Sequence, residues 1–297
     1  MTLVAGADAG GSKTTAAVAR DGVELTRVIG PGAAVRPGRA MSAGATIARL
    51  VRSALNQTGH LRAEVLVVGA AGVGRDTERA ALRDAIRLED LADRLVVTTD
   101  LEIALAAAFP GEEPGIVLLA GTGSVAVARL PGGHLERRGG HGWQLGDEGG
   151  GYALGRAALA AVSRAQDGRG PDTALTNAVF QATRSAGFDD LIRWTADAEA
   201  AEVAALAAIA TAAVDRDAVA SKIVAAAAEA LASHADPLAA LFGEKNPVPV
   251  ALGGGLLAAP GYRAMVEAAL ARRERLRPRS QSLDPVAGAL ALARTKP

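Results

Sequence analysis

The sequence contains no cysteine, few aromatic residues and no excess of charge of either sign. Without cysteine, the chain forms no disulfide, zinc–thiolate site, iron–sulfur cluster or cysteine nucleophile. Lysine plus arginine and aspartate plus glutamate each number 32, so no bulk charge favours nucleic acid or an anionic membrane surface. Aromatic residues make up 3% of the chain, so small aliphatic side chains must fill the core.

Long apolar runs are also missing. The most apolar stretch, residues 200–213, is mostly alanine and contains Glu202, which is typical of a helix against a core rather than of a membrane span. The first residues carry no basic region followed by an apolar signal core. We therefore expect a cytoplasmic protein with neither nucleic-acid nor membrane partners. Assembly as a homodimer is left open.

The chain does contain an arrangement of strands and glycine turns that occurs twice. A length of 297 residues predicts two domains. The first third predicts the order β-β-β-α-β-α-β-α, ending in the linker-like "FPGEEPG", and "GIVLLAGTGSVAVARL" then restarts the pattern before a long helical region. We predict an α/β protein with domains at 1–105 and 106–283, the second carrying a helical insertion. The last helix, 284–297, is expected to pack back on the first domain.

Four glycine-rich turns follow predicted strands, at Asp8–Thr14, Gly121–Ser124, Gly146–Gly151 and Gly253–Leu256. Glycine lets backbone N–H groups approach phosphate oxygens closely, and Ser and Thr hydroxyls add donors. A carboxylate beside them would repel phosphate unless a cation lies between, and Mg²⁺ is such a cation. The first turn therefore predicts Asp8 as a magnesium ligand and places five residues at phosphate oxygens: Gly10, Gly11, Ser12, Lys13 and Thr14.

Each turn also has a plain structural interpretation. A single "DAGGSKT" is most often a hairpin turn, and "GGGL" after a strand can simply connect a strand to a helix. No turn matches GxxxxGK[ST], which excludes a P-loop, and none has the dinucleotide pattern GxGxxG with an acidic partner. The order of all four along one chain favours the functional interpretation.

Asp100 ends the predicted strand "VVTTD" and opens the helix that follows. Thr99 and Glu102 have capping-box spacing, and an acidic residue in the first turn suits the helix dipole, which is the commoner, structural interpretation. An anion at a rigid strand end that faces a cleft between domains would equally suit a general base. The sequence is therefore compatible with two roles for Asp100, a structural one at the start of the helix and a catalytic one as a general base.

Five motifs in this order resemble the N-acetylglucosamine kinase and BadF/BadG/BcrA/BcrD-type ATPases of the actin-like, sugar-kinase and heat-shock-70 superfamily. They are "DAGGSKT", the strand ending in Asp100, "GTGS", "GGHGWQLGDEGG" at 139–150, and the three glycines at 253–255. The family has approximately DGGGTKT, GTGS, GGWGxxLGDEGS and GGG at these places. The resemblance covers essentially the whole chain.

The resemblance implies two ribonuclease-H-like domains with an interdomain cleft, ATP and Mg²⁺ as cofactors, and transfer of the γ-phosphoryl group to an amino-sugar hydroxyl. N-acetylglucosamine, glucosamine and N-acetylmuramic acid are the candidate sugars. Asp8 would position Mg²⁺, and Asp100 would accept the proton of the sugar hydroxyl. Further phosphate contacts are implied for Gly121, Thr122, Gly123 and Ser124, adenosine contacts for Gly254 and Gly255, and sugar contacts for Asp100, Thr122, His141, Gly142, Asp147 and Glu148.

Departures from the family pattern fall on the sugar side. The loop "GPGAAVRP" at 30–37 lacks the family's Asn, and His141 stands where Trp is frequent. Arg36 in that loop could face an anionic group such as a lactyl carboxylate, although a lone loop arginine is more often solvated. Trp143 could stack on a sugar ring or belong to the core. The identity of the sugar therefore stays open.

This fold leaves two other functions to consider: a dehydratase activator and a sugar sensor or regulator. A dehydratase activator of this family would hold an iron–sulfur cluster with cysteines, which this chain lacks. A non-catalytic or ATPase-type sugar sensor or regulator on the same fold is the alternative to a kinase, and the altered sugar loop keeps it open.

Overall fold

The computed structural model describes residues 2–243 and 246–295. Residue contacts divide the chain into two compact units. Unit one holds the described residues of Met1–Glu113 and Leu283–Pro297, and unit two holds those of Pro114–Ser282. In the described part of the chain, no helix has the length and apolar character that crossing a membrane requires.

Three strands begin each unit, and in the described part of unit two seven α-helices lie between the eighth and the ninth strand of the chain. The strands are β1 (Leu3–Ala9), β2 (Lys13–Arg20), β3 (Val23–Pro31), β4 (Ala63–Ala70), β5 (Ala92–Thr99), β6 (Gly115–Ala120), β7 (Ser124–Arg129), β8 (Leu135–Gly139), β9 (Val248–Gly253) and β10 (Leu276–Pro278). The helices are α1 (Ala40–Gln57), α2 (Asp76–Arg87), α3 (Asp100–Ala108), α4 (Gly151–Gln166), α5 (Leu175–Thr183), α6 (Phe188–Asp197), α7 (Ala200–Ala205), α8 (Ala207–Ala212), α9 (Ala218–Ser233), α10 (Asp236–Ala239), α11 (Pro260–Ala271) and α12 (Pro285–Thr295).

Unit one is built on a sheet of order β3-β2-β1-β4-β5. Strands β1, β2 and β3 are antiparallel neighbours, whereas β4 and β5 run parallel to β1. One face of the sheet packs against α1, and the other packs against α3 and α12. Because side chains alternate along β1, Ala7 and Ala9 face the α1 side, while Val4 and Asp8 face the α12 side.

Two glycines allow α12 to approach the sheet and α3 closely. A Cβ at Gly6 of β1 would lie 3.0 Å from the Ala289 Cβ, and a Cβ at Gly288 would lie 1.9 Å from the Ile103 carbonyl oxygen. Any side chain at Gly288 would therefore push α12 away from α3. The N-terminus of α12, with Asp284 before it, comes to the same face of the sheet as Asp8.

Unit two repeats this sheet in the order β10-β9-β6-β7-β8. Strands β6, β7 and β8 are antiparallel neighbours, whereas β9 is parallel to β6 and β10 is parallel to β9. Helices α4 to α11 pack around this sheet, and the core consists mainly of alanine, valine and leucine. The predicted α/β class with two ribonuclease-H-like sheets is confirmed.

Two local features differ from the sequence analysis. Strand β10 is not predicted, because three residues ending in proline show no alternation of apolar and polar side chains. Asp76, a natural choice for the N-cap of α2, is the first helical residue instead. Arg75 occupies the cap position in an extended conformation, and no side chain caps this helix.

Candidate functional site

In unit one, the carboxyl ends of the parallel strands bring Asp8 and Asp100 to one edge of the sheet. Asp8 of β1 pairs with Gly69 of β4, and Gly69 pairs with Thr98 of β5. The chain leaves β5 at Thr99 and enters α3 at Asp100. Two candidate residues that are far apart in the sequence are therefore close neighbours on this edge.

Asp8 lies in an environment that opposes its negative charge. Burial, followed by the nearby charge of Asp100, raises the pKa of its carboxyl group to about 6, and Asp284 adds to this rise. The ammonium group of Lys13 acts in the opposite direction. The sequence predicted Asp8 and Lys13 for one site, and the structure places them within electrostatic reach of each other.

Asp284 is a member of this acidic group that the sequence analysis missed. Its position just before the last helix is typical of a helix cap. Its Oδ2 instead accepts a hydrogen bond of 2.6 Å from a guanidinium NH2 of Arg27. No local signal reveals this role, since it depends on α12 packing against the sheet of unit one, and Arg27 lies 257 residues before Asp284 in the chain.

The first predicted phosphate turn is the tight connection between β1 and β2. Ala9 pairs with Thr14 across the hairpin, and the Gly10 amide donates to the Lys13 carbonyl at 3.0 Å. Gly11 and Lys13 are exposed, whereas Thr14 is fully buried and its hydroxyl has no hydrogen-bond partner within the described residues. The turn therefore presents its tip to solvent, with Thr14 beneath it.

The loop after β3 packs directly on this turn. The amides of Ala33 and Ala34 donate to the Gly10 carbonyl at 3.0 and 3.1 Å. A Cβ at Gly32 would lie 2.1 Å from the Gly11 carbonyl oxygen, so only glycine permits this approach. The loop that departs from the family pattern is therefore in contact with the predicted phosphate turn.

Asp100 is held in place by its neighbours. The hydroxyl of Thr99 accepts a hydrogen bond from the Glu102 amide at 3.2 Å, and Glu102 Oε2 accepts one from the Thr99 amide at 3.0 Å. This is the capping box that the spacing predicted. Because Thr99 and Glu102 cap α3, the helix does not need the Asp100 carboxylate as its cap.

In unit two, the "GTGS" and "GDEGG" turns interlock. The amides of Gly151 and Tyr152 donate to the carbonyls of Gly121 and Thr122 at 2.8 and 2.9 Å. A Cβ at Gly123 would lie 2.1 Å from the Asp147 Oδ2. The absence of a side chain at Gly123 therefore allows the Asp147 carboxylate to lie against the predicted phosphate turn.

Asp147 and Glu148 differ in their exposure. Asp147 is 9% exposed, adopts the left-handed conformation with φ 61°, and accepts a hydrogen bond of 3.2 Å from the Gly142 amide. Burial, reinforced by the charge of Glu148, raises its pKa, while the Gly142 hydrogen bond and the charges of His141 and His234 oppose the rise. The Glu148 carboxylate is 61% exposed and lies 3.4 Å from the His234 Nε2.

The segment before Asp147 presents an aromatic side chain to solvent. Trp143 is 43% exposed, and its ring contacts that of Tyr152 at a centroid distance of 4.5 Å. His141 and Gly142 are also exposed. Trp143 is therefore not a core residue, which was one of its two interpretations.

The third glycine turn of unit two packs against the strand that leads into "GTGS". Gly254 has φ 99°, and a Cβ on it would lie 2.3 Å from the Ala120 carbonyl oxygen. Gly255 is exposed. The predicted adenosine turn is thus built onto the end of β6.

The residues present fit a magnesium ion that is also bound by phosphate. Within the described residues, no three His, Asp or Glu side chains are arranged to hold a metal by themselves. Mg²⁺ commonly keeps several waters and uses one or two carboxylates plus phosphate oxygens. A carboxyl group whose charge is opposed by burial and by Asp100 and Asp284 suits a divalent cation, which would offset that repulsion.

Comparison with known proteins gives consistent results. A 30% identity over 197 residues links the chain to an N-acetylmuramic acid/N-acetylglucosamine kinase of Clostridium acetobutylicum, covering 65% of this chain and 64% of that protein. An N-acetyl-D-glucosamine kinase of Dictyostelium discoideum is 29% identical over 204 residues, with the same two shares. The chain thus spans 64% of the length of these curated relatives.

Solved structures match over more of the chain. A putative N-acetylglucosamine kinase from Chromobacterium violaceum has a TM-score of 0.83 and 28% identity, covering 99% of both chains. A ROK hexokinase from Thermus thermophilus has a TM-score of 0.58 and 21% identity, covering 98% of both chains, and shows likeness of fold alone. A model of the BadF/BadG/BcrA/BcrD ATPase family matches residues 5–293. Because this match spans nearly the whole chain, the protein belongs to the BadF/BadG/BcrA/BcrD ATPase family.

Proposed function

We propose that the protein is an ATP-dependent kinase that transfers the γ-phosphoryl group of Mg·ATP to a hydroxyl of an amino sugar. One observation carries the proposal: in each unit, an aspartate whose charge is opposed by burial lies against a glycine turn. Asp8 adjoins the Gly10–Thr14 turn, and Asp147 adjoins the Gly121–Ser124 turn. Relatives named as N-acetylglucosamine kinases support the substrate class.

In unit one, the turn would bind phosphate oxygens through Gly10, Gly11, Ser12 and Lys13. Asp8 would hold Mg²⁺, which supplies positive charge to the transferring phosphoryl group. Phosphoryl transfer through a loose transition state needs mainly alignment and charge neutralisation. Asp100, fixed by its capping box, would orient the sugar hydroxyl and take its proton.

In unit two, the backbone of Gly121–Ser124 would bind phosphate, and Gly254 and Gly255 would lie near the adenosine. The Ser124 hydroxyl is already used, because it donates to the Glu148 carbonyl at 2.7 Å. Thr122, Asp147, Glu148, His141 and Gly142 would contact the sugar. The exposed Trp143 gives a sugar ring an apolar face to stack on.

Two sugars are the leading candidates, N-acetylglucosamine and N-acetylmuramic acid. Arg36 is exposed in the loop that packs on Gly10, and its guanidinium would pair with the lactyl carboxylate that only N-acetylmuramic acid carries. Glucosamine lacks the acetyl group. Phosphorylation of glucosamine would therefore show that the site does not recognise the acetyl group.

A panel of sugars tests the proposal. ADP formation is measured with Mg·ATP and, separately, N-acetylglucosamine, N-acetylmuramic acid, glucosamine, N-acetylmannosamine and glucose. The proposal predicts that ADP formation depends on an amino sugar and is weak with glucose. ATP binding without any sugar-dependent ADP formation would contradict it and would favour a sugar sensor or regulator.

A further inference from the structure

Tyr262, in the first turn of α11, is the bulkiest of the fully buried side chains in the described part of the protein. Its hydroxyl donates a hydrogen bond of 2.6 Å to the carbonyl of Gly149, 113 residues earlier in the chain. Burial raises the pKa of this hydroxyl, so it stays protonated and remains a donor at physiological pH. None of the sequence motifs includes this residue.

Gly149 belongs to the turn that carries Asp147 and Glu148, and this turn is conformationally demanding. Asp147 and Gly149 both have positive φ, at 61° and 80°. For Asp147 this conformation is costly, because its Cβ crowds the backbone. A Cβ at Gly149 would lie 2.6 Å from the Ala227 carbonyl oxygen, so α9 blocks the turn on that side. Such a turn persists only if surrounding contacts hold it.

Three successive carbonyl groups of the turn are each held by a different hydrogen-bond donor. The pairs are Asp147 O with the Gly150 amide (3.0 Å), Glu148 O with the Ser124 hydroxyl (2.7 Å) and Gly149 O with the Tyr262 hydroxyl (2.6 Å). The first two donors lie in the glycine turns themselves. Only the third donor, the Tyr262 hydroxyl, comes from a helix in the core. It is also the only one of the three that a substitution can remove without changing a glycine-turn motif.

We propose that Tyr262 is a positioning residue for the sugar, because its hydroxyl fixes the turn that presents Asp147 and Glu148. The inference rests on the proposed function of those two carboxylates. Helix α11 follows the Gly253–Gly255 turn, so Tyr262 also ties the sugar turn to the helix behind the predicted adenosine turn. Without the hydroxyl, the Gly149 carbonyl is buried with no partner, and the peptide can rotate to find one.

Amide hydrogen exchange of the ligand-free protein tests the structural half of this inference without any substrate. Tyr262→Phe keeps the ring in the core and removes only the hydroxyl. We expect the peptide covering residues 147–152 to exchange about 10-fold faster in this variant. The matched control is Val266→Ala, which removes buried volume from the same helix one turn further on and should leave that peptide unchanged. Equal exchange in Tyr262→Phe and the wild type would overturn the inference.

Steady-state kinetics test the functional half. We expect Tyr262→Phe to raise KM for the sugar about 10-fold, with kcat within about 3-fold of the wild type and KM for ATP unchanged. Val266→Ala should lower the melting temperature but leave KM for the sugar unaltered. An unchanged sugar KM in Tyr262→Phe, or an equal rise in both variants, would refute a positioning role. If the wild type phosphorylates no sugar, the proposed function fails, and the exchange result alone decides whether Tyr262 holds the turn.

Discussion

Asp8 lies at the end of β1, where ionisation of its carboxyl group destabilises the folded protein. Burial, then the charge of Asp100, raises its pKa from 3.8 to about 6. The folded chain therefore binds this proton more tightly than the unfolded chain, and stability falls as pH rises from about 4 to 6. At roughly 1.4 kcal/mol per pKa unit, the cost above pH 6 is at most about 3 kcal/mol. A residue that lowers stability in this way is typical of a ligand site.

Replacing Asp8 should therefore raise the stability of the ligand-free protein while weakening its binding of Mg·ATP. At pH 7.5 without ligand, Asp8→Asn is expected to increase the free energy of unfolding by about 1–3 kcal/mol, because an opposed charge is removed. The gain should shrink at pH 5, where the wild-type Asp8 is largely protonated. The same change should weaken Mg·ATP binding at least about 10-fold. Urea unfolding at both pH values and calorimetric titration with Mg·ATP measure these effects.

The fully exposed Asp76 provides the control, since Asp76→Asn should change stability by no more than a few tenths of a kcal/mol and leave Mg·ATP binding unaltered. Loss of stability in Asp8→Asn at pH 7.5, together with unchanged Mg·ATP affinity, would contradict this account of Asp8.

At this scale, the sequence predicts residues that belong to a local motif and misses those brought in by tertiary packing. Asp8, Lys13 and Asp147 follow from their glycine turns. Asp284 joins Asp8 only because α12 packs on β1, and Tyr262 reaches Gly149 only because α11 packs beneath the turn. Neither contact leaves a spacing that the sequence alone could show.

At the scale of elements, the start of α3 determines where Asp100 lies. Although burial alone would raise the pKa of Glu102, hydrogen bonds from Thr98 and Thr99 outweigh it and lower that pKa. A lowered pKa contributes stability above the unfolded value of 4.5, and this stability is lost as pH falls through the lower folded value. The capping box thus stabilises α3 at neutral pH in its ionised form.

Glu102→Ala should loosen this helix start. We expect a loss of about 1 kcal/mol at pH 7, the usual size of a capping effect, and a several-fold fall in turnover as Asp100 loses its fixed position. The loss should shrink below pH 4.5, as the wild-type Glu102 becomes protonated. Chemical unfolding and ADP release measure the two effects. Asp189→Ala, an exposed acid in the first turn of α6, serves as the comparison and should cost only a few tenths of a kcal/mol. Equal losses in both variants would argue against the capping box.

The contact between α12 and α3 gives a second test of an element. Gly288→Ala places a Cβ about where the Ile103 carbonyl oxygen lies, so we expect a loss of about 1–3 kcal/mol from overpacking. Gly261→Ala in α11 is the matched change, because a Cβ there meets nothing within 4 Å. It should be neutral or slightly stabilising. Equal thermal stability of Gly288→Ala and the wild type would show that α12 does not approach α3 so closely.

Some element boundaries follow from the sequence and others do not. The capping box at Thr99 and Glu102 is predicted because its side-chain spacing is specific. The start of α2 does not follow from the sequence, because Asp76 suits both the N-cap and the first turn of a helix, and the structure places it in the first turn. The close approach of α12 depends on Gly6 and Gly288 together, and each glycine alone looks like a weak position in its own element.

For the whole molecule, the repeated strand order was the most informative feature of the sequence. In both units three antiparallel strands adjoin two parallel ones, and each central strand leads into a glycine turn. The sequence could predict this class because the motifs occur in order along nearly the entire chain. It could not identify the sugar, since the residues that depart from the family pattern, His141 and those at 30–37, lie in loops whose shape depends on their packing.

The proposed kinase couples ATP cleavage to sugar phosphorylation, with Asp100 as the proposed base. The most direct measurement is phosphorus NMR of sugar phosphate and ADP formed together, in the wild type and in Asp100→Asn. The account predicts equal amounts of the two products in the wild type. In Asp100→Asn it predicts a rate about 10²–10⁴-fold lower, with Mg·ATP binding unchanged. ADP released without sugar phosphate, or near-normal phosphorylation by Asp100→Asn, would contradict it.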